Sequence, residues 1–415
     1  LRPAQLAALL SRNQKYLRKQ YLAPMIQAGE LDYLAMQERQ AQVCGALGAS
    51  NSMRATIEDR QQVSAYFVLS SKALVPKFSA MSQLMHDSVT APRFDEFERV
   101  KELISQRRAR REQAITGQGH SLAMTAASSG ICGLAYQQEA WGGMEGIKAL
   151  QALDDSLQQD EQAIVNLMAV FARIHGKLMA SKKQLLVVAE EQQQAALVAQ
   201  IDTIWQHVSM GASPLPFQLP VTEQAVKRAW LTATQVNFCA KAFRTVAGEH
   251  PDVAPLTVLG GFLRNGFLHR VIREQGGAYG GGATFDGNIG AFRFYSYRDP
   301  RLVETLADFD ASVQWLLETE HTDEALEEAI LGVIGSMDKP GSPAGEAQGD
   351  FFIQLHGRTK AQRERFRAQI LAVTIEQLQA VASRYLIAAN ENVAVISAAS
   401  QKETLAGLGF NIKTL

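Results

Sequence analysis

Arg273-Glu-Gln-Gly-Gly-Ala-Tyr-Gly-Gly-Gly282 carries five glycines in ten residues, after a helical pattern from about Pro255 to Ile272 and before a strand-like run near Phe292. Glycine at this density permits left-handed backbone and close backbone approach. That suits a phosphate cradle, a bulged strand, an edge against which a peptide lies, or a tight helix-to-strand turn. Neither GxGxxG nor GxxxxGK[ST] occurs in the chain, and the glycines follow a helix instead of preceding one, which weakens the phosphate reading.

Read outward, the same turn recurs. Gln42-Val-Cys-Gly-Ala-Leu-Gly48 stands opposite Glu274-Gln-Gly-Gly-Ala-Tyr-Gly280 at an offset of 232 residues. Tyr66-Phe-Val-Leu-Ser-Ser-Lys-Ala-Leu-Val75 and Phe292-Arg-Phe-Tyr-Ser-Tyr-Arg-Asp-Pro-Arg301, 226 apart, are each a strand-like run that stops at a polar turn and enters a helical pattern. Acidic starts follow at Phe94-Asp-Glu-Phe-Glu98 and Thr322-Asp-Glu-Ala-Leu326, 228 apart, each opening another helix. Each half closes with a strand leading into a helix: Leu185-Leu-Val-Val-Ala189 before Gln192 to Ile201, and Val393-Ala-Val-Ile-Ser397 before Glu403 to Gly407. These ordered matches predict a duplication.

Pro214, Pro216 and Pro220 forbid a continuing helix and divide the chain. The fold class predicted is α+β, as two tandem related units, each a mainly antiparallel sheet with helices packed on one face. The first unit is expected over 21–211 and the second over 221–415, with 1–20 a polar helical segment and 212–220 a proline-rich connector. Thr234-Gln-Val-Asn-Phe-Cys-Ala240 alternates as a half-buried strand should. By the duplication offset its partner falls before residue 8, so the first unit is expected to lack its opening strand. Met337 to Gln348, with two prolines and two glycines between Pro340 and Gly345, reads as a surface loop. Thr359 with Gln362, and Thr374 with Gln377, have the spacing of capping boxes that start helices.

The chain has 415 residues, 47% hydrophobic and 20% charged, an ordinary globular composition. Lys+Arg 41 against Asp+Glu 42 gives a net charge of −1, so nucleic acid and membrane are not expected partners. Cys44, Cys132 and Cys239 lie 88 and 107 residues apart, which excludes a CxxC motif and a dense disulfide framework and favours a reducing compartment. No uninterrupted apolar stretch of ~18 residues and no signal-peptide pattern is present, so the chain is expected to be soluble. It opens at Leu1 without a methionine, which predicts a fragment or a processed product.

The two copies share the glycine turn but not its side chains. Arg273 stands against Ala41, and Tyr279 against Leu47. Structure alone would not require both: a guanidinium fork can grip a carbonyl or carboxylate, and a phenol can donate to a developing oxyanion.

Leu263 to Gly280 followed by Ser296-Tyr-Arg-Asp-Pro300 resembles the C-terminal half of the presequence-protease branch of the pitrilysin and insulinase zinc metallopeptidases. The resemblance extends to Ser70-Ser-Lys-Ala-Leu74, to Gly117-Gln-Gly-His120 with Ala123 following, and to the closing strand and helix, over most of 21–415. It implies a longer protein whose two halves close around a chamber, each half a pair of α+β units, with 1–20 a remnant of the joining linker. It also implies zinc held by HxxEH and a distal glutamate in the N-terminal half, with no metal ligand in this one. Arg273 and Tyr279 would hold the substrate backbone and stabilise the tetrahedral intermediate, with Gly276 and Gly277 beside the substrate. The implied partners are unfolded peptides and the N-terminal catalytic half of the same polypeptide, in a bacterial cytoplasm or an organelle matrix.

The closest pair among eight histidines is 19 residues apart, and neither HxxEH nor HExxH occurs. Two imidazoles one helical turn apart are needed to converge on one tetrahedral ion, so this chain alone is expected to bind no catalytic zinc and to cleave nothing. His120 reads as a structural histidine and His269 as a partly exposed helix residue. Arg107, Arg108, Arg110 and Arg111 share a helix with five acidic residues and read as a salt-bridged, solvated face. No GxSxG elbow occurs. The alternative readings are a catalytically silent scaffold of the same fold and, more remotely, a nucleotide enzyme using Gly276 to Gly282.

Overall fold

The computed structural model describes residues 33–57, 59–209, 211, 219–220 and 224–415. The expected helix over 1–20, the missing opening strand and all of the proline connector except Leu219 and Pro220 lie outside the described residues.

Alternation decides the first sheet. In Ala46–Ala55 (β1), every second residue from Leu47 to Ala55 is buried, so one face turns to a core. β1 pairs antiparallel with Val63–Lys72 (β2), Ala46 opposite Lys72 and Ala55 opposite Val63. Tyr33–Val43 (α1) leads into this hairpin, and Phe78–Thr90 (α2) and Phe97–Ser128 (α3) leave it. Gly133–Gly142 (α4), Met144–Gln159 (α5), Glu161–Ala180 (α6) and Glu191–Trp205 (α7) complete the first unit. By length and composition α6 could cross a membrane, yet Ala163, Ile164, Leu167 and Met168 on it pack with Val100, Ile104 and Leu153 from α3 and α5.

The closing strand expected at Leu185–Ala189 is irregular instead, with Leu185, Leu186 and Val188 exposed. A strand needs a neighbour, and the equivalent strand of the second unit lies between that unit's first two. No described strand of the first unit offers that place.

The second unit runs Lys227–Thr232 (β3), Phe238–Arg244 (β4), Val253–Leu263 (α8), a π-helix at Arg264–Gln275, Gly280–Asp286 (β5) and Ala291–Tyr297 (β6). Val303–Glu318 (α9), Asp323–Met337 (α10), Pro343–Leu355 (α11), Lys360–Leu371 (α12), Ile375–Tyr385 (α13), Glu391–Ala398 (β7), Lys402–Gly407 (α14) and Asn411–Thr414 (β8) follow. Its six strands lie in the order β5-β6-β4-β7-β3-β8, antiparallel except that β3 runs parallel to β7 and β8. Both predicted capping boxes form, at Thr359 and Thr374. The loop expected over Met337–Gln348 is shorter than read, because α11 starts at Pro343. Proline is tolerated at the first helical position, and the Ser342 hydroxyl caps it by accepting from Gly345 N–H.

The strand read at Thr234–Ala240 begins instead at Phe238, and Phe238 to Phe243 are all buried. Alternation is lost because both sheet faces are covered. Ala229, Leu231, Cys239, Phe243, Phe292, Phe294 and Val395 face the unit's own helices. Trp230, Phe238, Ala240, Ala242 and Ile396 face Leu122, Ala126, Trp141 and Ile147 of the first unit. Each such large apolar side chain contributes about 1.5–3 kcal/mol on burial. The Gly117-Gln-Gly-His120 stretch makes this seam possible: α3 leaves helical geometry at Gln118, and a β-carbon on Gly119 would lie 2.4 Å from the Phe238 ring. Nearby, Arg228 of β3 reaches Glu145 at 3.3 Å, and Lys413 of β8 pairs with the same carboxylate. The fully buried Glu139 accepts from Glu145 N–H at 3.1 Å, and burial pushes its carboxyl up to about 7.

The predicted arginine face of α3 is salt-bridged at Arg108, which meets Glu112, Asp154 and Asp155 at 3.0, 3.1 and 2.6 Å.

Candidate functional site

The glycine turn is held from every side. The helix from α8 widens into π geometry, a wide form found mostly as short insertions at functional sites. Gly266 lets Trp315 pack against it, since a β-carbon there would lie 2.4 Å from the indole. Arg273 occupies the last turn, exposed, with Nη1 3.3 Å from His269 Nε2, and His269 Nδ1 is 3.4 Å from Glu274. The Gly276 and Gly277 N–H groups both donate to the Arg273 carbonyl, and Ala278 N–H donates to Ile272.

Gly277 is left-handed, φ 78°, a conformation a β-carbon would strain. At Gly276 the reason is space: a β-carbon would sit 2.0 Å from Arg301 Nη2. That guanidinium donates to the Val271 carbonyl at 3.3 Å and to Asp308 at 2.8 Å. With Ile272 and Ala278 buried beneath the turn, Tyr279 projects outward, 68% exposed.

Tyr279 N–H donates to the Arg298 carbonyl at 3.4 Å, and its ring meets Tyr297 edge-on at 5.5 Å. Tyr297 in turn meets His120 of α3 at 4.8 Å, and His120 meets Tyr295 at 5.7 Å. Burial lowers the His120 pKa below the usual imidazole value. The Arg298 guanidinium lies 5.4 Å over the Tyr297 ring, a cation–π contact. Arg298 has φ 50°, the one positive φ outside glycine among the described residues, which costs about 1–2 kcal/mol.

The residues around Arg298 impose that conformation. Asn237 and Asp299 exchange backbone hydrogen bonds at 2.7 and 2.9 Å, and buried Asp299 accepts from Thr305 Oγ1 at 2.8 Å and Arg301 N–H at 2.9 Å. Burial raises the Asp299 pKa. Ser296 Oγ accepts from Cys239 N–H at 3.2 Å. The Ser296 to Pro300 motif is therefore an anchor, with Arg298 presented from it. β5, which starts one residue after Tyr279, is the outer strand, and its far side has no partner strand among the described residues.

Arg273, Gly276, Gly277 and Tyr279 thus stand on one rigid turn. Sequence reasoning missed Tyr297, Arg298 and the proximity of His120. The Arg-Asp-Pro triplet was the available signal for the first two, and Gly119 for the third. No group of three or more His, Cys, Asp or Glu among the described residues could hold a metal ion. Among the described residues no ligand set fits the zinc that the resemblance places in the N-terminal half.

Solved structures give the class. A conserved protein from Enterococcus faecalis V583 matches with TM-score 0.66 over 95% of this chain and 90% of its own, at 14% identity. An M16 peptidase inactive domain from Pseudomonas fluorescens matches with TM-score 0.59 over 91% and 86%, at 16% identity. The fold is that of the M16 peptidases. In sequence, residues 19–153 match the family described as associated with the M16 peptidases of subgroup C, and residues 227–401 match the "PreP C-terminal domain". The mitochondrial presequence protease of Danio rerio is 29% identical over 385 residues, covering 86% of this chain and 37% of that protein. This chain belongs to the presequence-protease branch of the M16 peptidases and matches its C-terminal part. It spans about a third of the length of the curated relatives it matches.

Proposed function

We propose that this chain is the C-terminal, non-metal half of a zinc metalloendopeptidase that degrades unfolded peptides in a closed chamber. In this reading it grips the substrate backbone and stabilises the tetrahedral intermediate. The observation that carries the reading is Tyr279, an exposed phenol on an immobilised turn that also presents the Arg273 guanidinium, beside an open sheet edge. A peptide added along β5 would gain backbone hydrogen bonds that are indifferent to sequence. Arg273 would fork onto a substrate carbonyl, and the Tyr279 hydroxyl would donate to the oxyanion as water adds to the scissile carbonyl. Gly276 and Gly277 contribute shape, since their N–H groups are used within the turn. The N-terminal half of the same polypeptide would supply the zinc and the attacking water. Because relatives are named as mitochondrial or chloroplastic, an organelle matrix or a bacterial cytoplasm is the compartment this reading takes.

Zinc content and cleavage of a quenched fluorescent peptide, measured for this chain and for the full-length gene product, test the reading. Zinc and cleavage in the full-length protein alone are expected. Cleavage by this chain alone would refute its assignment as the non-metal half, and a full-length protein with neither zinc nor cleavage would return the silent-scaffold alternative.

A further inference from the structure

The junction between the β1–β2 hairpin and the end of α11 gathers positive charge without a counter-charge among the described residues. Ser52 and Tyr66 oppose each other across β1 and β2, on the hairpin face turned away from its buried side. Both reach the C-terminal end of α11: Tyr66 Oη donates to the carbonyl of Leu355, its last residue, at 2.8 Å, and Ser52 Oγ lies 2.7 Å from Nε2 of the capping His356. The His356 ring meets Tyr66 edge-on at 5.3 Å and is 4% exposed. Arg54 shares the hairpin face of Ser52 by the two-residue period of a strand, and Arg358 follows His356 by two residues.

No carboxylate pairs with Arg54 or Arg358 among the described residues. The buried Arg358 Nε and His356 Nδ1 have no hydrogen-bond partner there. Burial, then the charges of Arg54 and Arg358, bring the His356 pKa down to about 4. Burial and Arg54 likewise lower that of Arg358. Unpaired like charges with open donors are costly to hold in a folded protein, and an oxyanion among them removes that cost.

We propose that Arg54, His356 and Arg358, with Ser52 orienting the imidazole, form an oxyanion-binding site at the junction of the two units, taking a phosphate or carboxylate group. Two guanidiniums balance the charge of a phosphate. When the Ser52 hydroxyl donates to His356 Nε2, the neutral imidazole carries its proton on Nδ1 and can donate it to the ligand. Arg54 is exposed and Arg358 half-buried, which leaves a way in from solvent. Nucleophilic use of the Ser–His pair is disfavoured by the same surroundings. An imidazole pressed by two arginines, with no carboxylate at Nδ1, is a poor acceptor for the serine proton at neutral pH. The site does not depend on the peptidase reading.

Thermal melting of the full chain in sodium phosphate, sodium acetate and sodium chloride of equal ionic strength reads the site. The expected result is a Tm rise of about 2 °C at roughly tenfold excess of phosphate over its Kd. The rise should be absent in chloride and lost in Arg54→Gln and in Arg358→Gln. A response to phosphate alone supports a phosphate group as ligand, and a response to acetate as well supports a carboxylate such as a peptide end. Both variants should melt no lower than wild type in chloride, since one of two opposed like charges is gone. A second readout needs no variant at the arginines: phosphate should move the His356 ring 15N resonances and leave those of His269 in place. No shift beyond chloride in the wild type, a shift that survives in both variants, or an unmoved His356 would overturn the site.

Discussion

The two units carry the same helix, turn and strand, and use it oppositely. At the first residue after the turn, Leu47 in the first unit is 4% exposed and Tyr279 in the second is 68% exposed. Where the second unit holds Arg273, the first holds the exposed Ala41. Among the described residues the first hairpin forms a two-stranded sheet, while the second joins a six-stranded one. One copy uses this turn for its own packing, and the other exposes it while its sheet packs against helices α3 to α5 of its neighbour. A turn is free to carry chemistry where another part of the molecule supplies the stability.

The sharpest separation should come from paired substitutions at the matched position. Tyr279→Phe in the full-length protein should lower kcat by roughly 10²-fold with little change in KM, as loss of one oxyanion donor does. Leu47→Ala should instead cost about 2–5 kcal/mol of stability by cavity formation, with turnover per folded molecule unchanged. Steady-state kinetics beside chemical denaturation would break the comparison if Leu47→Ala moved kcat or Tyr279→Phe left it alone.

Next in size is the seam behind the contrast. Gly119→Ala drives a methyl into the Phe238 ring and should cost about 1–3 kcal/mol or more, as overpacking does. Because Phe238 belongs to one unit and Gly119 to the other, calorimetry should show a single lowered transition. Two separated transitions, with one unmoved, would mean the units are not stabilised together.

Glu139 probes the same seam through pH. Its carboxyl is raised in the folded protein from 4.5 to about 7, so the folded state holds a proton that the unfolded chain has released between those values. Stability from this group is present below the unfolded pKa and is lost as pH rises toward 7, by about 1–3 kcal/mol. Denaturation of Glu139→Gln across pH 4.5 to 7 should lack that slope, and an unchanged slope would exclude Glu139 as its source.

The smallest effects separate Arg273 from Ala41. Arg273→Ala should raise KM for a peptide about tenfold by removing a charged hydrogen bond. Ala41→Arg, at an exposed helix position, should change stability by less than about 0.5 kcal/mol and leave KM as it was. An Arg273→Ala enzyme with wild-type KM and kcat would remove Arg273 from the site.

Local signals in the sequence were accurate where the physics is local. The two capping boxes form as the Thr and Gln spacing required, and the helix before Gly276 and the strand at Phe292 fall where the sequence puts them, but Gly280 to Gly282, which read as part of the turn, already belong to a strand, β5. Arg273 and Tyr279 stand out in the sequence because the two copies can be compared, and the structure places both on one turn and exposed. Pairing and packing were not legible, since both are settled at a distance. Leu185 to Ala189 has the composition of a strand and no described neighbour to pair with. Phe238 to Phe243 hides its period because the second cover of the sheet comes from the other unit. His120 reaches the surroundings of Tyr279 only through the break at Gln118 and the bare face of Gly119, which no local pattern around residue 279 records.

The strand order of the second sheet also governs how the protein can be made. β7 lies between β3 and β4, although residues 391–398 are synthesised long after 227–244. On the ribosome, the edges of β3 and β4 that will face β7 emerge early and wait, unpaired, through the translation of α8 to α13. Sequence-distant pairing of this kind is slow and leaves sticky intermediates. The nascent chain should therefore depend on chaperones most heavily in the interval between emergence of Phe238 and emergence of Ser397, and the sheet should close in one late step once Glu391–Ala398 has emerged.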